Sequence, residues 1–120
     1  DTLGHHSGDQ ALSQCAQVLT ISKRRDDAVG RWGGDEFLMV LPNTTLRDAE
    51  FAAQRIKQQI NSVIIGKGHN AIELAVSMGI AGTECMTDET EFNLQDIIDL
   101  ADRAMYDAKR SSGSQITVAA

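Results

Sequence analysis

The segment Gly33-Gly34-Asp35-Glu36 places two residues without side chains directly before two adjacent carboxylates, and Phe37-Leu-Met-Val-Leu41 follows as a solid apolar run. Gly33 and Gly34 let a backbone approach a ligand with no Cβ in the way. Asp35 and Glu36 stand at the lip of a short buried strand, where neighbouring carboxylates repel unless a cation or solvent lies between them. Carboxylates on a rigid strand end are a usual way of holding Mg²⁺ against substrate phosphates. The chemistry these residues suit is therefore a magnesium–nucleotide site. The same residue types also suit a plain polar turn, which takes Gly and Asp for backbone reasons alone. Composition leaves both readings open.

The elements that must position this segment are legible from periodicity. Residues 8–24 read as a helix, with Leu12, Cys15, Ala16 and Leu19 on one face. The Ala28–Trp32 and Phe37–Leu41 runs flank the Gly-Gly pair as a hairpin. Thr45-Leu-Arg-Asp48 is a capping pattern opening a second helix, with Ala49, Ala52, Ala53, Ile56, Ile60 and Val63 on its apolar face, ending before Gly66 and Gly68. Residues 72–80 alternate with period two and predict one continuous strand. Asn93 caps a third helix with the stripe Leu94, Ile97, Ile98, Ala101, Ala104, Met105 and Ala108, and Ile116–Val118 is a last strand. This order predicts an α/β (α+β) sandwich with a sheet on one side and helices on the other.

At 120 residues the chain has room for one packed core. Its net charge of −6 repels duplex nucleic acid and anionic membrane surfaces. An anionic substrate needs local help from a metal ion or a few placed cations. Cys15 and Cys85 have no CxxC spacing and read as free thiols of a reducing compartment. No apolar stretch approaches the ~18–20 residues of a membrane span. The chain opens at Asp1 without a methionine and reads as part of something longer.

"RWGGDEF" (31–37) resembles the signature of the GGDEF family, the diguanylate cyclases. "DTLGHHSGD" (1–9) is similar to the family's "NDxxGHxxGD", "LAVSMGIA" to the strand after its second helix, and "ADRAMYDAK" (101–109) to its late helix. The resemblance spans residues 1–120 in order. It implies a nucleotidyl-cyclase, palm-like domain with a mainly antiparallel central sheet flanked by helices, and GGDEF on a β-hairpin. It also implies condensation of two GTP into cyclic di-GMP with release of pyrophosphate. That reaction needs Mg²⁺ or Mn²⁺, and a homodimer holding one GTP per protomer. In the resemblance, Asp35 and Glu36 are metal-binding and catalytic, and Gly33 and Gly34 carry backbone near the nucleotide. Asp9 accepts hydrogen bonds from guanine, and Lys109 binds phosphate. Arg24 and Asp27, an RxxD with five residues between its Asp and Gly33, form with Arg55 the family's product-inhibition site. A cytoplasmic output domain governed by an N-terminal sensory domain is the implied setting, with no nucleic-acid partner.

Three departures accompany the resemblance. The family's first strand, "DxDxFK", precedes the residues present here, and so does the Asn before Asp1. Where the family carries a phosphate-binding Arg after the late helix, this chain has Gly113 or Ser114, with Arg110 a turn earlier as the alternative cation. Without the first strand the sheet is expected to have an unpaired gap. His5 and His6 read as part of a turn and not as metal ligands. The competing reading is a degenerate GGDEF module that senses cyclic di-GMP or GTP through RxxD without synthesis; a third is a purely structural dimerisation domain.

Overall fold

The computed structural model describes residues 2–85, 93–112 and 115–119. Eleven elements follow in order, counting two 3₁₀ turns: α1 (Thr2–Ser22), β1 (Ala28–Arg31), β2 (Phe37–Val40), α2 (Leu46–Asn61), β3 (Ile64–Ile65), a turn at Gly68–Asn70, β4 (Ile72–Glu73), β5 (Met78–Ile80), a turn at Thr83–Cys85, α3 (Leu94–Ser112) and β6 (Ile116–Val118). They form two compact units, Asp1–Asn43 with Ile56–Leu74, and Thr44–Arg55 with Ala75–Ala120.

In the first unit, β1 and β2 pair antiparallel with Ala28 opposite Val40 and Arg31 opposite Phe37. The hairpin expected around Gly33-Gly34 is present in that register. α1 begins at Thr2, earlier than residue 8, where the apolar periodicity starts. Leu19 of α1, Ile56 and Ile60 of α2, Ile65 of β3 and Leu74 are buried. Ile65 and Ile72 are partners in the β3–β4 hairpin. Gly66 and Gly68 make the turn there with φ of 90° and 62°, a region closed to most side chains.

The second unit is organised by α3 against β5, which pairs parallel with β6. A Cβ on Gly79 of β5 would collide with the Ala101 carbonyl and the Met105 backbone of α3, so this strand seats on the helix only without a side chain. Ala104 and Ala108 are buried, whereas Leu94, expected on the same stripe, is exposed. Both helix caps read from sequence are formed. The Asp48 N–H donates to Thr45 Oγ1 at 3.1 Å. The Asp96 N–H donates to Asn93 Oδ1 at 3.0 Å, and the Asn93 N–H returns to Asp96 Oδ2 at 3.3 Å. The Leu46 N–H donates to Glu84 Oε1 at 2.8 Å, which satisfies a second amide at the start of α2.

The expected continuous strand over 72–80 is a correction. Ile72–Glu73 pairs with β3, and Met78–Ile80 pairs with β6; between them the chain passes from one unit to the other. Alternation marks a half-buried extended chain, but a ladder needs a partner strand, and residues 75–77 have none among the described residues. β3 was not expected, because its two residues sit at the end of a helical stripe. The described strands form three separate two-stranded sheets, two antiparallel and one parallel.

Candidate nucleotide site

The GGDEF segment is the turn of the β1–β2 hairpin. The Trp32 and Gly33 N–H groups both donate to the Glu36 carbonyl, at 2.8 and 3.3 Å, and close the turn. Arg31 braces it from the strand end: Nε donates to the Gly33 carbonyl at 3.3 Å and the Gly34 carbonyl at 3.0 Å, and Nη2 also donates to Gly34. Neither Gly33 nor Gly34 has positive φ. A Cβ on Gly34 would meet nothing within 4 Å, and one on Gly33 would reach only ordinary contact with the Glu36 side chain at 3.7 Å. Neither a positive φ nor crowding at the Cβ position requires glycine at either position of this turn.

Asp35 is exposed and Glu36 half-buried. Among the described residues, neither carboxylate lies in a salt bridge. Two neighbouring anionic groups without a cationic partner form an all-oxygen donor pair suited to Mg²⁺, which takes one or two carboxylates and completes its shell with water and phosphate. Among the described residues no cluster of three or more His, Cys, Asp or Glu accompanies them. The site fits a cation held jointly with a polyanionic ligand better than a closed protein cage.

Asp9 is exposed on α1, on the wall of a cavity of about 500 Å³ shared by Leu12 and Ala16 of α1, Val29 and Arg31 of β1, and Phe37 of β2. The helix and the hairpin thus bring Asp9 and the base of the GGDEF turn to one cleft. The cleft is open to solvent and lined mostly by apolar surface, with Asp9, Ser13, Thr20 and Arg31 as its polar members.

Arg24 and Asp27 meet in the turn after α1. Asp27 is buried, and its Oδ2 accepts from the Arg24 backbone N–H at 2.8 Å. Arg24 Nε and Nη2 lie 3.4 Å from Oδ2 and Oδ1. Lys23 Nζ donates to the Asp27 carbonyl at 3.2 Å. The backbone hydrogen bond from Arg24 chiefly holds the Asp27 carboxyl below the ordinary range; burial opposes it, and the Arg24 and Lys23 charges reinforce it. The Arg24 guanidinium is the exposed member of the pair. A ligand that engages the Asp27 carboxylate must displace the two long Arg24 side-chain bonds.

Arg55 and Lys109 belong to the second unit. Arg55 is exposed on α2, and Lys109 is exposed in the last turn of α3 beside Arg110. The Arg110 guanidinium lies 5.7 Å from the centroid of the Tyr106 ring. Gly113 and Ser114, and the His5 and His6 side chains, lie outside the described residues, but the backbone of His5 and His6 belongs to α1 and not to the turn expected there. Sequence reasoning missed Arg31 and the turn-closing role of Asp27. An arginine ending a strand just before two glycines, whose carbonyls the hairpin ladder leaves free, was the available signal for the first.

Residues 1–115 match the family described as diguanylate cyclase, GGDEF domain, and the chain belongs to that family. It is 28% identical over 98% of its length to Diguanylate cyclase A of Treponema denticola, covering 31% of that protein. It is 31% identical over 97% of its length to the response regulator PleD of Caulobacter vibrioides, covering 25% of it. Its fold matches the diguanylate cyclase SiaD of Pseudomonas aeruginosa, solved in complex with its activator SiaC, with a TM-score of 0.82 and 34% identity over 99% of this chain and 44% of that one. The chain spans between 19% and 31% of the length of the first curated relatives it matches. No helix among the described residues is long and apolar enough to cross a membrane.

Proposed function

We propose that this domain is a diguanylate cyclase, joining two GTP into cyclic di-GMP with release of two pyrophosphates. The observation that carries the reading is the Gly33-Gly34 pair: the hairpin has no conformational or steric need for it, so its use is to leave room for a ligand beside the uncompensated carboxylates of Asp35 and Glu36. Each 3′-hydroxyl attacks the α-phosphate of the other nucleotide, the O3′–P bond forms, and the bond from that phosphorus to the bridging oxygen of pyrophosphate breaks. Mg²⁺ or Mn²⁺, when bound, neutralises the phosphates and the departing pyrophosphate. Asp35 and Glu36 hold that ion, and Glu36 also orients or deprotonates the 3′-hydroxyl. Asp9 accepts from the guanine N1 and N2 groups, a donor pair adenine lacks. Lys109 supplies positive charge to phosphate. Two such domains face one another, because in-line attack requires two nucleotides held in register. Arg24, with Asp27 behind it, binds cyclic di-GMP as an inhibitor, the planar guanidinium fitting a guanine edge or phosphate. The domain is the cytoplasmic output of a longer signalling chain with an N-terminal sensory input.

The test is incubation of the chain with GTP and Mg²⁺, with cyclic di-GMP and pyrophosphate both quantified and Asp35→Asn alongside. Product from the parent and none from the variant is the expected outcome. Absence of product from folded parent chain rejects the cyclase reading for these residues. Cyclic di-GMP binding that depends on Arg24 then identifies the sensing module instead.

A further inference from the structure

Arg31 is the side chain that shapes the GGDEF turn. Its guanidinium binds both the Gly33 and the Gly34 carbonyls. Among the described residues there is no cis peptide bond, so in each peptide there the carbonyl and the following N–H point in opposite directions. With both carbonyls turned onto Arg31, the N–H groups of Gly34 and Asp35 point away from it. Among the described residues no acceptor takes either amide, whereas the preceding two, of Trp32 and Gly33, are both taken by the Glu36 carbonyl. Successive outward N–H groups in a turn form an anion-binding concavity, and at Gly34 no Cβ stands beside them.

We propose that Arg31 is a positioning residue that holds the Gly34 and Asp35 amides in place for a phosphate oxygen of the nucleotide, without itself touching that oxygen. The need for it follows from the neighbouring residues. Two consecutive glycines carry more backbone freedom than any other pair and order themselves poorly. A phosphate beside Asp35 and Glu36, on a chain of net charge −6, requires nearby donors as well as a cation. A guanidinium reaches two carbonyls at once because its donors form a rigid fork; a lysine ammonium offers no such fork. This inference rests on the hairpin being a nucleotide site, and the experiment separates the two.

Backbone ¹⁵N relaxation is measured on the whole chain, as the parent, Arg31→Lys and Arg31→Ala. The Gly33 and Gly34 order parameters are expected to fall from about 0.85 in the parent to below about 0.6 in Arg31→Ala, with the rest of the chain unchanged and Arg31→Lys in between. Unchanged values in both variants overturn the inference whatever the activity. Adding a GTP analogue with a methylene between the α- and β-phosphates, together with Mg²⁺, is expected to shift the Gly34 and Asp35 amide protons of the parent; unmoved amides also overturn it. In the cyclase assay, kcat of Arg31→Lys is expected to fall on the order of tenfold to a hundredfold with KM for GTP nearly constant, while the thermal midpoint moves little. An undiminished kcat overturns the link to turnover. A parent chain that shifts its amides yet makes no cyclic di-GMP overturns the cyclase reading and leaves the positioning role of Arg31 standing.

Discussion

Two glycines and one buried aspartate show how different the reasons for a residue can be. Gly34 has open space where a Cβ would stand and no positive φ, so Gly34→Ala is expected to leave stability unchanged or raise it by about 0.4–1 kcal/mol through the unfolded chain. Under the proposed function the same substitution is expected to lower cyclic di-GMP synthesis severely, because the new methyl would stand in the space proposed for the nucleotide. Thermal melts beside the cyclase assay check both halves; a stability loss without an activity loss would return the pair to a structural role. Asp27 is the opposite case. Its carboxyl is held below the ordinary range, so its contribution to stability is fully present above the unfolded value near 3.9 and disappears as pH falls through the lower folded value. Asp27→Asn is therefore expected to lower the melting temperature at neutral pH, and the gap to the parent should close below about pH 4. A gap that stays constant down to pH 2 would contradict the clasp.

Elements in this chain are set by their ends and by one close approach. The reciprocal bonds between Asn93 and Asp96 start α3, and Asn93→Ala is expected to cost about 0.5–2 kcal/mol in urea titrations. β5 crosses α3 at Gly79, where a methyl would strike helix backbone, which cannot swing aside. Gly79→Ala is expected to cost at least the ~1–3 kcal/mol of an overpacked core. Gly82→Ala is the control. Its Cβ would meet only the Leu46 side chain, at 3.2 Å, and a rotamer change can relieve that. Equal losses for the two would mean that the α3–β5 approach does not limit stability.

At the scale of the whole molecule, net charge governs what the domain can attract. A chain of net charge −6 attracts a polyanionic nucleotide only through local cations, so chelation of divalent metal is expected to abolish nucleotide binding. Trp32 is the only tryptophan, is 54% exposed and adjoins Gly33, so its emission reports binding at the hairpin directly. A quench by GTP that survives chelation would exclude a metal-bridged site. The proposed reaction takes one nucleotide from each of two protomers, so specific activity is expected to rise with protein concentration. A specific activity independent of dilution, well below the dimer's dissociation constant, would exclude assembly at a dimer.

The local features were legible in the amino-acid sequence alone: the hairpin around Gly33-Gly34, the Thr45 and Asn93 caps, and the carboxylates at a strand lip. Each depends on residues within a few positions of one another, and chain chemistry at that range is nearly independent of what packs against it. Family membership was legible for a related reason, since the motif segments keep their order and spacing. Pairing was not. Residues 72–80 alternate like one strand, yet their two ends find different partners, because a ladder is completed by a distant segment and alternation records only which side faces the core. Nor did residue type reveal that Asp27 turns inward onto Arg24, or that the Gly33 and Gly34 carbonyls face Arg31 and their neighbouring amides face outward. Those are directions in space, and a direction exists only once the backbone has been placed.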